Sequence, residues 1–436
     1  MSAVARLLQA RGHQVSGSDA GRWPLSEALR AAGMTVHDEF AGEHIAGADV
    51  VLRSSAYGES NVEIRAAHQR GVTVWKRDDA WRELSAGQRV VAIAGTHGKT
   101  TTTAMAWTAL RAGGIDASLV CGAVLRDLGS NAHAGVDPLL VIEADEYDRA
   151  FLALTPEIAV VTNIDHDHVD VYPTKADYDD AFVRFAAQVH GTLIACADDP
   201  GARRLVAANI VGYGTAADAD RRITDRVATA AGQTFTLDGL GGPTGPLEVR
   251  LGVPGIHNAR NAAGALLAAL AAGAPADSQG AALAHFGGTD RRLEVLGEAG
   301  GVVVIDDYAH HPAEIRSGLE AYAAAARRIV VFQPHTSSRL RAFFGEFTAV
   351  LRSADLAIVV ETFASAREAA EDAGTGSGAQ RLAAAAGARY APTAEAAAAI
   401  VAAAARRGDV VLVMGAGDIR PAGERVLSLL AARPGA

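Results

Sequence analysis

The sequence predicts an α/β fold divided into three domains, and three observations carry that expectation. Apolar runs of strand length recur along the whole chain, each followed by a stretch with helical spacing. A glycine-bracketed turn joins one such run to one such helix in VVAIAGTHGKTTTTAMAWTAL, from Val90 to Leu110. Length supports the division, since 436 residues fit about three domains and a hydrophobic content of 49% is ample for their cores. The expected boundaries are 1–86, 87–289 and 290–436.

The first domain opens on a helix, with Val4, Leu7 and Leu8 at helical spacing and Gly12 ending it. HQVSGSD then reads as a short strand, the stretch around Leu25 to Ala32 as a helix, and Thr35 to His37 as a strand. ADVVLRSSA, a helix from Asn61 and the strand GVTVWK follow. This alternation predicts a small parallel, Rossmann-like sheet. Such a sheet ordinarily begins with a strand and a glycine-rich turn ahead of its first helix. Neither precedes Met1, so the chain is expected to start at an internal methionine, with an absent strand between those at Val15 and Val50.

The second domain opens with the turn itself. Val90 to Ala94 is a buried strand, and Gly95 and Gly98 let the backbone N–H groups of Thr96, His97 and their neighbours face an anion at the start of a helix. Lys99 is placed to meet the outer phosphates, Thr100 to ligate Mg2+, and Thr101 to add a second donor. The common phosphate loop has four residues between its glycines, and here there are only two. Of 40 basic residues, only Lys76, Lys99 and Lys175 are lysines. An ammonium at 99 is therefore a choice, because a compact charge and a planar guanidinium meet phosphate differently.

Two further strands end in metal-binding chemistry. DPLLVIEADEYD delivers Glu143, Asp145, Glu146 and Asp148, and EIAVVTNIDHDHVDVYPT ends in Asn163, Asp165, His166, Asp167, His168 and Asp170. Solvated carboxylates and histidines paired with aspartates are the plain alternative. Their common position downstream of a phosphate loop favours a metal. From Thr215 to Gly252, TFTLDG and PLEVRL read as hairpin strands of a small peripheral sheet. VPGIHNARNAAGALLAALAAG then sets His257, Asn258 and Asn261 at a helix start, either to cap it or to read an adenine edge.

The third domain repeats one theme. VVVIDDYAHHP, RIVVFQPHTSSR, LAIVVETFASAR and VVLVMGAGDI are apolar strands ending in polar clusters, as in a doubly wound parallel sheet. Ligands in such sheets lie beyond the strands' carboxyl ends, which gathers Asp307, His310, His311, His335, Arg339 and the GAGD turn around one crevice. GAGD is not read as a cofactor box. The alanine-rich runs near 380 to 405 read as helices without an assigned role.

Composition excludes other classes. A net charge of −10 argues against a nucleic-acid or anionic-membrane surface, which needs an extended basic field. Cys121 and Cys196 are too few for a disulfide framework and show no metal spacing. No apolar run approaches membrane-spanning length and no secretory signal is present, so a cytoplasmic protein is expected. Nothing in the sequence specifies an oligomeric state.

Through GTHGKTTT, EADEYD, TNIDHDHVD, GIHNARNA, DRRLEV, DDYAHHP and FQPHTSSR, the chain resembles the Mur ligases over nearly all its length. The resemblance implies that Gly95 to Thr101 bind ATP, with Glu143 and His168 as Mg2+ ligands. It makes Asn258 and Asn261 ATP contacts, and Arg292 and Asp307 a pair from the third domain that closes over the nucleotide. Asn163 and His335 fall among the substrate-facing residues, while His310 and Arg339 hold the incoming amino acid, the arginine by its carboxylate. Thr336 stands where many relatives place another arginine. The implied reaction joins L-alanine to the lactyl carboxylate of UDP-N-acetylmuramate through an acyl phosphate, with closure of the third domain keeping water out. A P-loop switch protein and a ligase for another acceptor, such as a tripeptide or glutamate, remain as rivals.

Overall fold

The computed structural model describes residues 1–229, 232–240, 245–363 and 378–433. The first part alternates as its sequence predicts, with helices Ser2–Ala10, Pro24–Ala31, Val62–Arg70 and Arg77–Ser85 and strands Ser16–Ser18, Thr35–His37, Val50–Leu52 and Thr73–Trp75. Asn61 caps the third helix, its side chain accepting from Glu63 N and Ile64 N. The parallel pairing is present but divided: Ser16–Ser18 pairs with Thr35–His37, and Val50–Leu52 with Thr73–Trp75, as two separate two-stranded sheets. Side chains bridge the halves instead. Ser18 Oγ donates to Glu63 Oε1 at 2.6 Å, and the same carboxylate lies 3.1 Å from His44 Nδ1.

The middle part is built on ten strands. In spatial order they are Leu247–Leu251, Gly232–Asp238, Arg221–Thr229, Ile210–Gly214, Thr192–Cys196, Ile158–Val161, Arg89–Ala94, Leu139–Glu143, Ser118–Leu125 and Ser130–His133. The seven inner neighbours run parallel and the ends antiparallel. Period-two alternation sends Val91 and Ile93 into one core and Val90, Ala92 and Ala94 into the other. Helices Lys99–Ala112 and Ile256–Ala272 cover the first face. Ser2–Ala10, Arg77–Ser85 and Lys175–Ala187 cover the second, so the opening helix buries Ala3, Val4 and Leu7 against this sheet. The predicted hairpin of TFTLDG and PLEVRL exists, but it is not a separate peripheral sheet. Arg221–Thr229 pairs parallel to Ile210–Gly214 and antiparallel to the hairpin, which attaches it to the central sheet.

The last part holds a six-stranded sheet in the order Glu294–Ala299, Val302–Asp307, Asp409–Met414, Arg327–Phe332, Leu356–Val360 and Arg389–Ala391. All neighbours are parallel except the edge strand Glu294–Ala299, which runs antiparallel. Val330 and Phe332 face one core while Ile329 and Val331 face the other, as a doubly wound sheet requires. The alanine-rich runs are helices Gly378–Ala386 and Ala394–Ala404. Residues 364–367, the end of the ETFASAR stretch, lie outside the described residues. Among the described residues no helix is long and apolar enough to cross a membrane.

Candidate active site

The turn after Arg89–Ala94 sits where strand order reverses, between Ile158–Val161 and Leu139–Glu143, the position at which open α/β sheets bind ligands. Gly95 has φ +134°, and a Cβ there would meet Thr162 Oγ1 at 2.0 Å. Gly98 has φ +82°, and its Cβ would lie 2.6 Å from Asn261 Oδ1. Both positions therefore require glycine on two grounds, handedness and space. Asn163 ties the turn to the neighbouring strand end. Its Oδ1 accepts from His97 N at 2.9 Å, and its Nδ2 donates to His97 O at 2.9 Å. Thr96 Oγ1 bonds the Asp165 carbonyl at 2.8 Å and the Tyr178 hydroxyl at 2.9 Å.

Lys99 does not project freely. Its ammonium donates to the carbonyls of Gly95 and Thr96 at 2.6 and 3.0 Å and pairs with Glu146 at 2.8 Å. Glu146 is fully buried and also receives the Tyr178 hydroxyl at 3.2 Å, with His168 Nε2 at 3.3 Å. Burial would lower the Lys99 pKa, but Glu146 and Asp145 outweigh it and hold the ammonium above its ordinary value.

The expected metal set of Thr100, Glu143 and His168 divides in two. Thr100 Oγ1 donates to Glu143 Oε1 at 2.9 Å, and Gly122 N donates to Glu143 Oε2 at 2.6 Å. Burial raises the Glu143 pKa against the pull of Lys99. His168 groups instead with Asp145 and Glu146, their ligand atoms within 4.8 Å of one another. The division follows from the chain path: Glu143 ends its strand, while Asp145 is drawn toward Arg77. His168 itself adopts φ +52°, a left-handed conformation that costs a non-glycine residue on the order of 1–3 kcal/mol and so must be over-determined by its surroundings.

A cavity of about 520 Å³ lies between the turn and the last part of the chain. His97, Gly98, Thr101, Asn163, Asn258 and Asn261 line it from one side, and Arg292, Asp307 and Glu314 from the other. Asn258 and Asn261 are not helix caps. Gly255 holds the N-cap position, Asn258 Nδ2 donates to Pro254 O at 2.7 Å, and Asn261 Nδ2 lies 3.4 Å from Asn258 Oδ1. Arg292 and Asp307 share the wall without an ion pair, since the guanidinium turns to Glu314 at 3.4 Å. Burial pushes the Asp307 carboxyl up to about 7 against the opposing charge of Arg292. Burial would lower the His97 imidazole, yet Asp165 at 3.7 Å and Glu314 at 3.4 Å hold it up at about 9.

Lys99, Thr100, Glu143, His168, His310, His335 and Arg339 lie outside this wall, in the adjoining clusters. His310 gives Nδ1 to the Tyr308 carbonyl at 2.9 Å, and burial lowers its pKa to about 3, leaving a neutral ring. His335 stacks on Phe363 with ring centroids 5.5 Å apart. Arg339 is occupied, its fork closed on Asp167. Thr336 caps the Ser337–Ala342 helix, accepting from Arg339 N at 3.3 Å. The GAGD turn is placed outside the cavity, with the Gly415 and Gly417 carbonyls taken by Arg291. The sequence places Glu146 and Asp167 in strand-end clusters read toward a metal, not as the partners of Lys99 and Arg339, and it does not point to Tyr178 or Glu314. Glu314 carries a local signal, three residues after the N-cap His311 in a capping box.

Comparison with known proteins places the chain in a family. Family models match in order: "Mur ligase family, catalytic domain" over residues 1–89, "Mur ligase middle domain" over 93–269, and "Mur ligase, glutamate ligase domain" over 291–417. The UDP-N-acetylmuramate–L-alanine ligase of Chloroflexus aggregans is 42% identical, the match covering 99% of this chain and 96% of the relative. The enzyme of the same name from Kineococcus radiotolerans is 43% identical, with 99% and 94% covered. Among solved structures, the UDP-N-acetylmuramate-alanine ligase of Thermotoga maritima superposes with a TM-score of 0.82 at 26% identity, covering 98% of this chain and 96% of that one. A murein peptide ligase from Psychrobacter arcticus shares the fold with a TM-score of 0.74 at 24% identity, covering 100% and 97%. With three family domains in order and relatives above 40% identity along its length, the chain belongs to the Mur ligase family.

Proposed function

We propose that the chain is an ATP-dependent ligase that joins L-alanine to the lactyl carboxylate of UDP-N-acetylmuramate, releasing ADP and phosphate, in peptidoglycan precursor synthesis. The observation that carries the reading is a cavity shared by a phosphate loop and the last domain, in a chain 42% identical along its length to an L-alanine ligase. Its volume suits a nucleotide-sized ligand. The missing Cβ at Gly98, with Asn258 and Asn261 beside it, supports close approach of a nucleotide to the backbone.

The donor chemistry fits Mg2+. Thr100 and Glu143 offer adjacent hard oxygens, and His168 with Asp145 and Glu146 offers a second group. When bound there, the ion supplies charge neutralisation for the transferring phosphoryl group. The chain's own residues do the rest. Loop N–H groups and Lys99 hold the phosphates while the lactyl carboxylate attacks the γ-phosphorus, giving an acyl phosphate and ADP. Neutral His310 has its free Nε2 lone pair to accept from the amine of alanine, and Arg339 receives the carboxylate. The ammonium gives one proton to solvent, the resulting amine attacks the acyl carbon, the C–O bond to phosphate breaks as phosphate leaves, and the nitrogen gives up a second proton to leave a neutral amide.

The test is ADP release measured with UDP-N-acetylmuramate against L-alanine, other amino acids and a murein tripeptide. L-Alanine is expected to give the highest kcat/KM. Tripeptide-driven release would make the chain a recycling ligase, and release without any amino acid would make it a P-loop ATPase.

A further inference from the structure

Asp167 and Arg339 stand 172 residues apart in sequence and join the middle part to the last. Arg339 Nε donates to Asp167 Oδ1 at 3.0 Å and the terminal NH2 group to Oδ2 at 3.2 Å, while the other terminal nitrogen donates to the His335 carbonyl at 3.2 Å. Both side chains are more than nine-tenths buried. This two-pronged geometry is the one by which an arginine receives a free carboxylate. The edge that Asp167 occupies is therefore the edge an amino-acid carboxylate needs. One guanidinium edge cannot serve both.

We propose that Asp167 is a stand-in for the amino-acid carboxylate: it seals Arg339 in the free enzyme, and the incoming α-amino acid displaces it. The inference rests on the reading above that Arg339 receives the carboxylate of alanine. Displacement exchanges one charge-assisted carboxylate contact for another, so a ligand gains little from its carboxylate alone. Recognition then falls to the other end of the molecule, since the released Asp167 is left as an anion beside the site. A simple carboxylate without an ammonium group, such as propionate, leaves that anion buried with only the His168 backbone N–H, 2.7 Å away, and the His168 ring, 4.0 Å away, in place of the guanidinium. Asp167 thereby acts as a specificity residue, selecting zwitterions over carboxylic acids.

The experiment compares propionate as a competitor of L-alanine in the wild type and in Asp167→Asn. Asparagine keeps the shape but offers a neutral contact, so the inhibition constant of propionate is expected to fall about tenfold. Asp167→Glu, which restores the charge, should return it toward the wild-type value. A tie between domains with no competitive role would lower thermal stability while leaving the propionate constant unchanged, and that result overturns the proposal. Arg339→Gln separates the underlying reading. A rise in the KM for alanine with no matching rise for ATP upholds it, and the reverse pattern overturns both. If Asp167→Asn does not fold, a crystal structure of the wild-type protein with L-alanine and ADP decides. Asp167 released from Arg339 supports the proposal, and Asp167 still forked onto Arg339 with alanine bound overturns it.

Discussion

Replacing Glu146 by glutamine is expected to destabilise the middle part of the chain by about 3 kcal/mol. The carboxylate is fully buried and Lys99 is only 12% exposed in its side chain, so solvent screens the pair little. Removing one partner of a buried pair costs about 3–5 kcal/mol, because the other charge is left uncompensated. Glutamine still accepts from Tyr178, and the Gly95 and Thr96 carbonyls still hold the ammonium, which puts the loss at the lower end. For a unit of about 200 residues each kcal/mol moves the melting temperature by roughly 2–4 °C, so a drop of about 6–12 °C follows. Scanning calorimetry measures it, the relevant transition being the one that ADP shifts upward. A shift below about 1 °C would show that Glu146 does not carry the Lys99 charge.

Lys99→Ala should abolish ligation and also destabilise the protein, since it leaves Glu146 buried without its cation. The double variant Lys99→Ala, Glu146→Gln should regain most of the lost stability and none of the activity; recovery of neither in denaturant melts would contradict the coupling. Gly98→Ala should weaken ADP binding at least tenfold in calorimetric titration, because the residue must take φ +82° and meet Asn261, and unchanged affinity would refute the cradle. Asp307→Asn should change the pH dependence of stability. The folded pKa of Asp307, about 7, lies above its ordinary 3.8, so its contribution is fully present below pH 4 and is lost as pH rises toward 7. Relative to wild type, the asparagine variant should therefore gain stability between pH 4 and 7 and level off above it; a constant difference in urea melts would refute the burial argument.

Much of this arrangement was legible because its signals are local. The run Val90 to Ala94, the glycines at 95 and 98 and the four polar-ended strands of the last domain are readable from periodicity and turn chemistry alone. What sequence could not supply was the partner of each charge. Lys99 meets Glu146 across 47 positions and Arg339 meets Asp167 across 172, and nothing in either motif names the other. The same limit holds at the expected metal ligands, where Thr100 meets Glu143 while His168 lies with Asp145 and Glu146. It also explains the hairpin, because Arg221–Thr229, the strand that fastens it to the central sheet, is rich in charge and threonine and lacks an apolar run.

The opening helix bears on how this protein can be dissected. Ala3, Val4 and Leu7, with Ala80, Trp81 and Leu84 from Arg77–Ser85, lie in the same core as Leu140, Ile142 and Phe151 of the ATP-loop domain. A fragment beginning at residue 87 removes all six and uncovers the part of that apolar sheet face that Lys175–Ala187 does not reach. Contiguous exposed surface of this kind drives self-association. Such a fragment should precipitate or oligomerise on expression, whereas the same fragment co-expressed with residues 1–86 should stay dispersed.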